Sequence, residues 1–347
     1  MPFGFGKSRI PYDMFDIERS ADEAKRFTRC ANIYHRGQEV AWDGKDILPM
    51  LLAKHGGIKV DPEKKQALER IFAIIMWGEL AAWRIAAQLA DRLVPLEAKM
   101  AATSQAHDEA RHFYVMHDYL TELGYVPKRM DRAPQALLDV VLGTDHLAYK
   151  LVGMQLLIEP MALTIFQLCR EADVEPVLTE LMRYYERDEA RHVGLGMQYL
   201  PSLMKGWSRR QASAMATFQV RLMFWALWEQ KLLEPDFAVL GVDPRSTIER
   251  ARRKQLSVIQ ATCQAAGIRV GRDRNLAAMA MNAIIELAFP GADTEKSPRR
   301  RIEAAWRALW SKPELFDLGE IAVHHRHAIK TARGTISHGE DLDYPGQ

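Results

Sequence analysis

Apolar positions along this chain recur every three or four residues, the period of an amphipathic helix, and no stretch sustains the strict alternation of a strand. The strongest helical pattern lies between residues 61 and 200. Asp61-Pro62 opens a helix running to about Asp91, with an acidic cap and a proline in the first turn. Val94-Pro95 breaks the run and starts a second long helix, which Gly124 stops. Residues 125–143 read as a proline-containing connection. A third helix covers about Asp145–Arg170, and a fourth, after Val174-Glu175-Pro176, covers about Val177–Leu200. Two helix pairs with short turns and one longer connection are the layout of a four-helix bundle with a single crossover.

Helical patterning continues on both sides. Residues 1–60 predict a helix near Ile17–Tyr34, a loop through Asp43 and Gly44, and a short segment ending at Gly56-Gly57. Beyond Pro201 the pattern predicts helices at about Arg209–Leu233, Pro244–Ala266, Asn275–Phe289, Pro298–Ser311 and Leu318–Thr331. The expected organisation is all-α: an N-terminal helical extension (1–60), the bundle (61–205), a C-terminal helical extension packed on it (206–332) and a flexible tail (333–347).

Two of the bundle's apolar stripes contain a glutamate. One reads Leu68, Phe72, Ile75, Glu79, Ala82, Ala86, and the other Val152, Gln155, Glu159, Ala162, Leu163, Phe166. An unpaired carboxylate buried there would cost several kcal/mol. The chain also repeats itself. Asp108-Glu109-Ala110-Arg111-His112 recurs letter for letter as Asp188-Glu189-Ala190-Arg191-His192, 80 residues on, and at that offset Glu79 answers to Glu159. Each half therefore reads Glu and, 30 residues later, Glu-x-x-His.

Glu and His at i and i+3 share a helix face and can grip one metal ion. A glutamate thirty positions earlier, across one tight turn, returns to about the same height on an antiparallel neighbour. Two such hairpins set Glu79, Glu109, His112, Glu159, Glu189 and His192 at one level, as candidate metal ligands and catalytic residues. Two divalent ions would neutralise the four carboxylates, and carboxylate oxygen with imidazole suits iron or manganese better than structural zinc. Asp108 and Asp188 can each accept the free N–H of a ligating histidine on the opposite hairpin, and Arg111 and Arg191 can pair with those aspartates.

On these residues, about 60–205 of the chain resembles the ferritin-like di-iron carboxylate superfamily, in its oxygenase and oxidase branch. That branch includes multicomponent monooxygenase hydroxylases, acyl-carrier-protein desaturases, arylamine oxygenases and the ribonucleotide reductase small subunit. The doubled pentapeptide is especially similar to the hydroxylases. The resemblance implies a cofactor of two Fe ions (an Mn/Fe pair stays open) and use of O2 on a small, partly apolar organic substrate by hydroxylation, N-oxygenation or desaturation. Electrons would come from an external reductase or ferredoxin, because the chain has no nucleotide-binding Gly-rich loop. The alternatives are an iron-oxidising ferritin-like protein and a non-catalytic scaffold. The C-terminal extension weighs against the former and the six retained ligand residues against the latter.

Departures narrow the resemblance. Met116 stands where the reductase subunit carries its radical tyrosine, with Tyr114 and Tyr119 off that register. Ala82 and Met154 occupy the positions of the Val–Tyr crosslink of the related ligand-binding oxidases. The hydroxylase threonine position is Leu163, with Thr164 one residue later. Pro160 follows Glu159 and is expected to kink or bulge the third helix at the site.

Composition changes little. Net charge is +2, without a basic run for nucleic acid or a polybasic membrane surface. The N-terminus lacks signal-peptide character, and no uninterrupted apolar segment approaches the ~20 residues of a membrane span. Cys30, Cys169 and Cys263 form no Cys-x-x-Cys pair, so the expected compartment is the cytoplasm. A homodimer is the default assembly. Ala82, Ala162 and Gly196 leave room either for substrate or for close helix packing. Gln105, Gln155 and Tyr185 face inward, as contacts to the site or as satisfied core groups. His324, His325 and His327 read as a solvated helix end, Arg299–Arg301 as a solvated face or a dock for an acidic partner, and Trp225, Trp228, Trp306 and Trp310 as packing of the outer helices.

Overall fold

A computed structural model of the chain describes Asp22 and residues 25–267, 276–291 and 297–311, and every regular element among them is helical. The expected helix Leu318–Thr331, the His324/His325/His327 cluster and the tail lie outside the described residues. Near the N-terminus, α1 (Thr28–Glu39) ends later than the predicted Tyr34, and α2 (Gly44–His55) replaces the predicted short segment. Asp43 starts α2 by accepting the Lys45 N–H, and Gly56 ends it in the left-handed region.

The bundle consists of α3 (Pro62–Arg92), α4 (Leu96–Glu122), a third rod built of α6 (Leu147–Gly153) and α7 (Glu159–Glu171), and α8 (Pro176–Met204). Asp61 occupies the capping position of α3 but its side chain makes no capping hydrogen bond; Pro62, with its fixed φ, sets the start. Gly124, at φ 84°, turns the chain out of α4 while Tyr125 N–H reaches back to Leu120 O.

The expectation of a plain connection needs correction. The connection 125–143 contains a helix, α5 (Arg132–Leu142), which tolerates Pro134 because it falls in the first turn. The third rod bulges at the site, as Pro160 led one to expect: between α6 and α7, Met154–Ile158 forms a π-helical turn in which the Glu159 N–H bonds to Met154 O. The widened turn accommodates Pro160, whose ring would collide with a carbonyl four residues back in a regular helix. It also re-phases the positions beyond it, so Thr164 is buried whereas Leu163 is only half-buried.

Further on, α9 (Arg209–Leu232) packs on α5 and α6, and a short α10 (Glu234–Val239) that the pattern did not predict rests on α3. Next, α11 (Pro244–Ala265) packs on α7 and α8, and α12 (Leu276–Ala288) pairs with α13 (Pro298–Trp310). Ser208 and Gln211 cap α9 reciprocally. Trp228, Trp306 and Trp310, expected to pack the outer helices, are more than half exposed; Trp225 alone of the four packs against the core. By length and composition Pro62–Arg92 and Leu147–Glu171 could each cross a membrane, but 56% and 78% of those apolar windows are buried inside the bundle.

The core is split in two. One cluster gathers Phe72, Ile75, Met116, Tyr119, Phe166 and Leu178, and the other Ile85, Leu89, Ala101, Val152, Leu156 and Leu195. Along α3 the boundary falls at Glu79, along α4 between Ala102 and Val115, and along α8 between Tyr185 and Val193. A layer of buried polar side chains crosses the bundle there, and two apolar cores hold it rigidly from above and below.

Candidate metal centre

That layer contains all six side chains singled out from the repeat, each no more than 4% exposed. Ligand atoms of Glu79, Glu109, His112 and Glu189 lie within 4.8 Å of one another, and so do those of Glu109, Glu159, Glu189 and His192. Glu109 and Glu189 belong to both groups. The arrangement has the pseudo-twofold symmetry of the duplicated sequence, with two shared carboxylates at the centre and one carboxylate and one imidazole at each side.

Ring orientation follows from the outer contacts. His112 Nε2 lies 3.2 Å from Asp188 Oδ2, and His192 Nε2 lies 3.3 Å from Asp108 Oδ2. Each aspartate thus faces the histidine of the opposite hairpin. A proton held on Nε2 leaves the Nδ1 lone pair of each ring turned to the carboxylates: His112 Nδ1 is 3.1 Å from Glu189 and 3.5 Å from Glu79, and His192 Nδ1 is 3.0 Å from Glu109.

The aspartates are themselves clamped. Arg111 Nη2 donates to Asp108 (2.6 Å) and Asp188 (2.7 Å), and Arg191 Nη2 donates to Asp108 (2.8 Å) and Asp188 (2.7 Å), closing a buried four-membered charge box. Burial alone would raise the Asp188 carboxyl, but Arg191, His112 and Arg111 outweigh it and hold it well below the usual range. Asp108 is lowered in the same way, against burial and against the charge of Asp188.

Three further contacts belong to the site. Gln105 Nε2 donates to Glu109 (2.9 Å) and Glu159 (2.8 Å), and Gln155 donates to Gln105 Oε1 at 3.0 Å. Tyr185 stacks on the His112 ring at 4.2 Å and donates to the His112 backbone carbonyl. Trp42, in the turn before α2, donates its indole N–H to Asp188 at 2.7 Å and lies under the Arg111 guanidinium at 4.7 Å. Sequence reasoning missed Trp42 because it lies outside the repeat and no periodicity ties a loop residue to a helix face. Gly196 packs against the π turn, where a Cβ would meet Leu156 and Gln155 at 2.7 and 2.8 Å.

The donor set fits a pair of divalent cations. Glu109 Oε2, His112 Nδ1 and Glu189 Oε1 are buried without a hydrogen-bond partner and point into the space between the hairpins. Unsatisfied polar atoms at such depth are rare, and here they converge on one volume. In the metal-free chain, burial pushes the carboxyls of Glu79 and Glu159 well above their ordinary range. Burial opposes protonation of His112 and His192, yet the surrounding carboxylates outweigh it and raise both rings. Protons therefore stand where cations would, and cation binding must displace them. Loading Fe(II) into weakly buffered, anaerobic protein is expected to release about two or more protons per chain, with affinity rising as pH rises. An indicator-dye titration showing no release and a pH-independent affinity would contradict this.

One side of the cluster opens to a cleft of about 570 Å³. Glu79 and Glu159 line it, facing Ile75, Leu138, Met154 and Ile158. Ala82 and Ala162 also line it, so they leave room in the cleft, whereas Gly196 serves close packing. A second cleft of about 490 Å³, between α9, α11 and α12, shares Met161 and Ile165 with the first but touches none of the six.

Residues 96–270 match the family described as P-aminobenzoate N-oxygenase AurF, half of the chain. The chain belongs to that family. It is thereby a member of the ferritin-like di-iron oxygenase and oxidase superfamily, an O2-using oxidoreductase whose cofactor is a pair of iron ions. Of the relatives that the pentapeptide resembles, the match falls on the arylamine oxygenases rather than the multicomponent hydroxylases. No curated protein matches the sequence. Among solved structures, a Synechococcus protein with aldehyde deformylating oxidase activity shares 19% identity over 58% of this chain and 92% of its own, with a TM-score of 0.51. The R2-like ligand-binding oxidase of Sulfolobus acidocaldarius shares 17% identity over 68% of this chain and 90% of its own, also with a TM-score of 0.51. At such identities these two show the common helical fold.

Proposed function

We propose that this member of the AurF family oxygenates the nitrogen of a small, partly apolar amine, with Glu79, Glu109, His112, Glu159, Glu189 and His192 as the ligands of its two iron ions. The observation that carries the reading is the apolar cleft whose wall is formed by Glu79 and Glu159, the two carboxylates that each belong to only one of the metal-binding groups. A substrate in that cleft lies against the centre and nowhere else in the described core. The family's own description, an N-oxygenase of an aromatic amine, supports the choice of nitrogen.

When bound and reduced, the iron pair supplies electrons and open coordination positions for O2. The chain's residues do the rest. Glu109 and Glu189 hold the two positions together. Gln105 steadies Glu159 by a hydrogen bond on the cleft side, and Asp108 and Asp188 fix the ring tautomers of His192 and His112. Aliphatic walls on α3, α5 and the π turn exclude water from the amine and from the oxidising equivalents. The balanced turnover is R–NH2 + O2 + 2 electrons + 2 protons giving R–NHOH + H2O, the electrons arriving from an external reductase or ferredoxin.

The three cysteines are unpaired, and burial pushes the Cys30 and Cys169 thiols up to about 12, so they stay unreactive thiols suited to a reducing cytoplasm. The test is a turnover assay: chemically reduced, iron-loaded protein is exposed to 18-labelled O2 with a panel of aryl and alkyl amines. Labelled hydroxylamine, nitroso or nitro product is expected. Oxidation of iron in large excess over protein without any organic product would favour the iron-handling alternative.

A further inference from the structure

The cleft contains a carboxyl group that the repeat does not account for. Glu229 lies on α9, in the C-terminal extension, at 7% exposure and in line with the buried Leu222 and Ala226. Its side chain lines the cleft together with Glu79 and Glu159. Among the described residues its carboxyl makes no hydrogen bond and no ion pair, which is unusual for a group so deep. Burial, helped by the charge of Asp131, pushes its pKa up to about 8, so near neutrality it is mostly protonated and can both donate and accept. It stands on α9, outside the four rods that carry Glu79 and Glu159, and so forms the outer wall of the cleft. No Lys, Arg or His lines the cleft, and the Arg70 guanidinium beside this wall is held by Asp131 and Asp236.

We propose that Glu229 is the specificity-determining residue of this cleft, binding the end of the substrate remote from the metal centre through a hydrogen-bond donor, uncharged or cationic, and rejecting a carboxylate. The substrate class is then a compact, apolar amine whose second polar group is an amine, amide or hydroxyl. A carboxylate there would lose its hydration in a cleft that no Lys, Arg or His lines, and would recover at most the single hydrogen bond of a protonated Glu229. A donor would instead satisfy a buried carboxyl that has no partner in the protein. p-Aminobenzoate, which carries a carboxylate opposite its amine, is accordingly a poor fit to this member of the family. The assignment rests on the oxygenase reading for the identity of the cleft as the substrate site, but its test does not require turnover.

The probes are four para-substituted anilines of similar size: 4-aminobenzylamine, 4-aminobenzamide, p-toluidine and p-aminobenzoate. Their binding to iron-loaded protein is measured anaerobically by calorimetry, in the wild type and in Glu229→Gln and Glu229→Leu, after checking that iron content is the same in all three. The wild type is expected to bind 4-aminobenzylamine and 4-aminobenzamide at least about tenfold more tightly than p-aminobenzoate. Glu229→Gln should keep the amide within a few-fold and lose about tenfold for the cationic probe, and Glu229→Leu should shift the preference to p-toluidine. Equal affinity for p-aminobenzoate and the amide in the wild type, one ranking shared by all three proteins, or binding of none of the four would each overturn the assignment. Binding that depends on Glu229 but yields no oxygenated product once O2 is admitted would sink the N-oxygenase reading and leave the assignment of Glu229 standing; amine oxygenation with a ranking indifferent to Glu229 would do the reverse.

Discussion

Replacing Glu189 with alanine is expected to abolish the iron pair, leaving fewer than one ion per chain where the wild type holds two. Glu189 supplies oxygens to both metal-binding groups, so its loss strips a ligand from each position at once. Loss of an outer hydrogen-bond partner already costs ~10–100-fold in metal affinity, and loss of a directly coordinating group shared by two ions must cost more than the upper figure. Glu79→Ala removes a ligand from one position only and is expected to leave the other occupied. Iron analysis after anaerobic loading and desalting distinguishes the two. Equal, near-complete occupancy in both variants would contradict a shared role for Glu189. The metal-free Glu189→Ala protein should remain folded, because the substitution removes a charge from a crowded acidic cluster rather than leaving a new one unpaired.

Asp188→Ala is expected to act in the opposite way, through the protein rather than the ions. Asp188 accepts from Trp42, Arg111 and Arg191 and faces His112, all at full burial. Its removal leaves two guanidiniums with a single carboxylate, Asp108, between them, and an indole N–H without a partner. Breaking a buried ion pair by deleting one member costs about 3–5 kcal/mol, and metal affinity should fall by a further ~10–100-fold as His112 loses its orientation. Urea denaturation of the metal-free variant measures the first term and a metal competition titration the second. Destabilisation below ~1 kcal/mol would show that the charge box is not a structural element. Trp42→Phe, which deletes one charge-assisted hydrogen bond, should cost about 1.5–3 kcal/mol by the same measurement.

The bundle and the level of the site were legible because both depend on spacing. The letter-for-letter repeat of Asp108–His112 at Asp188–His192, with Glu79 and Glu159 in matching positions, encodes two antiparallel hairpins of equal length. Equal length is enough to place six side chains at one height. The remaining features are set by contacts rather than by period. Pro134 made 125–143 look like pure connection, although a proline in a first turn is compatible with a helix, and that helix became a wall of the cleft. Pro160 announced a disturbance of the third rod, but whether it would kink, bulge or break depended on how Gln155 and Leu156 pack against Gly196. Trp42 could be found only once α2 was seen to lie against α4 and α8. Glu229 was in principle visible, since it interrupts the Leu222–Ala226 stripe just as Glu79 and Glu159 interrupt theirs. No repeat marks it, because α9 lies outside the duplicated hairpins.

Anomalous X-ray scattering at the iron edge, recorded from crystals of anaerobically loaded protein, examines the centre most directly. Two peaks within about 4 Å of each other are expected, both touching Glu109 and Glu189, one next to His112 and Glu79 and the other next to His192 and Glu159. A single peak, a pair located elsewhere, or no iron between the hairpins when the metal is abundant would contradict it.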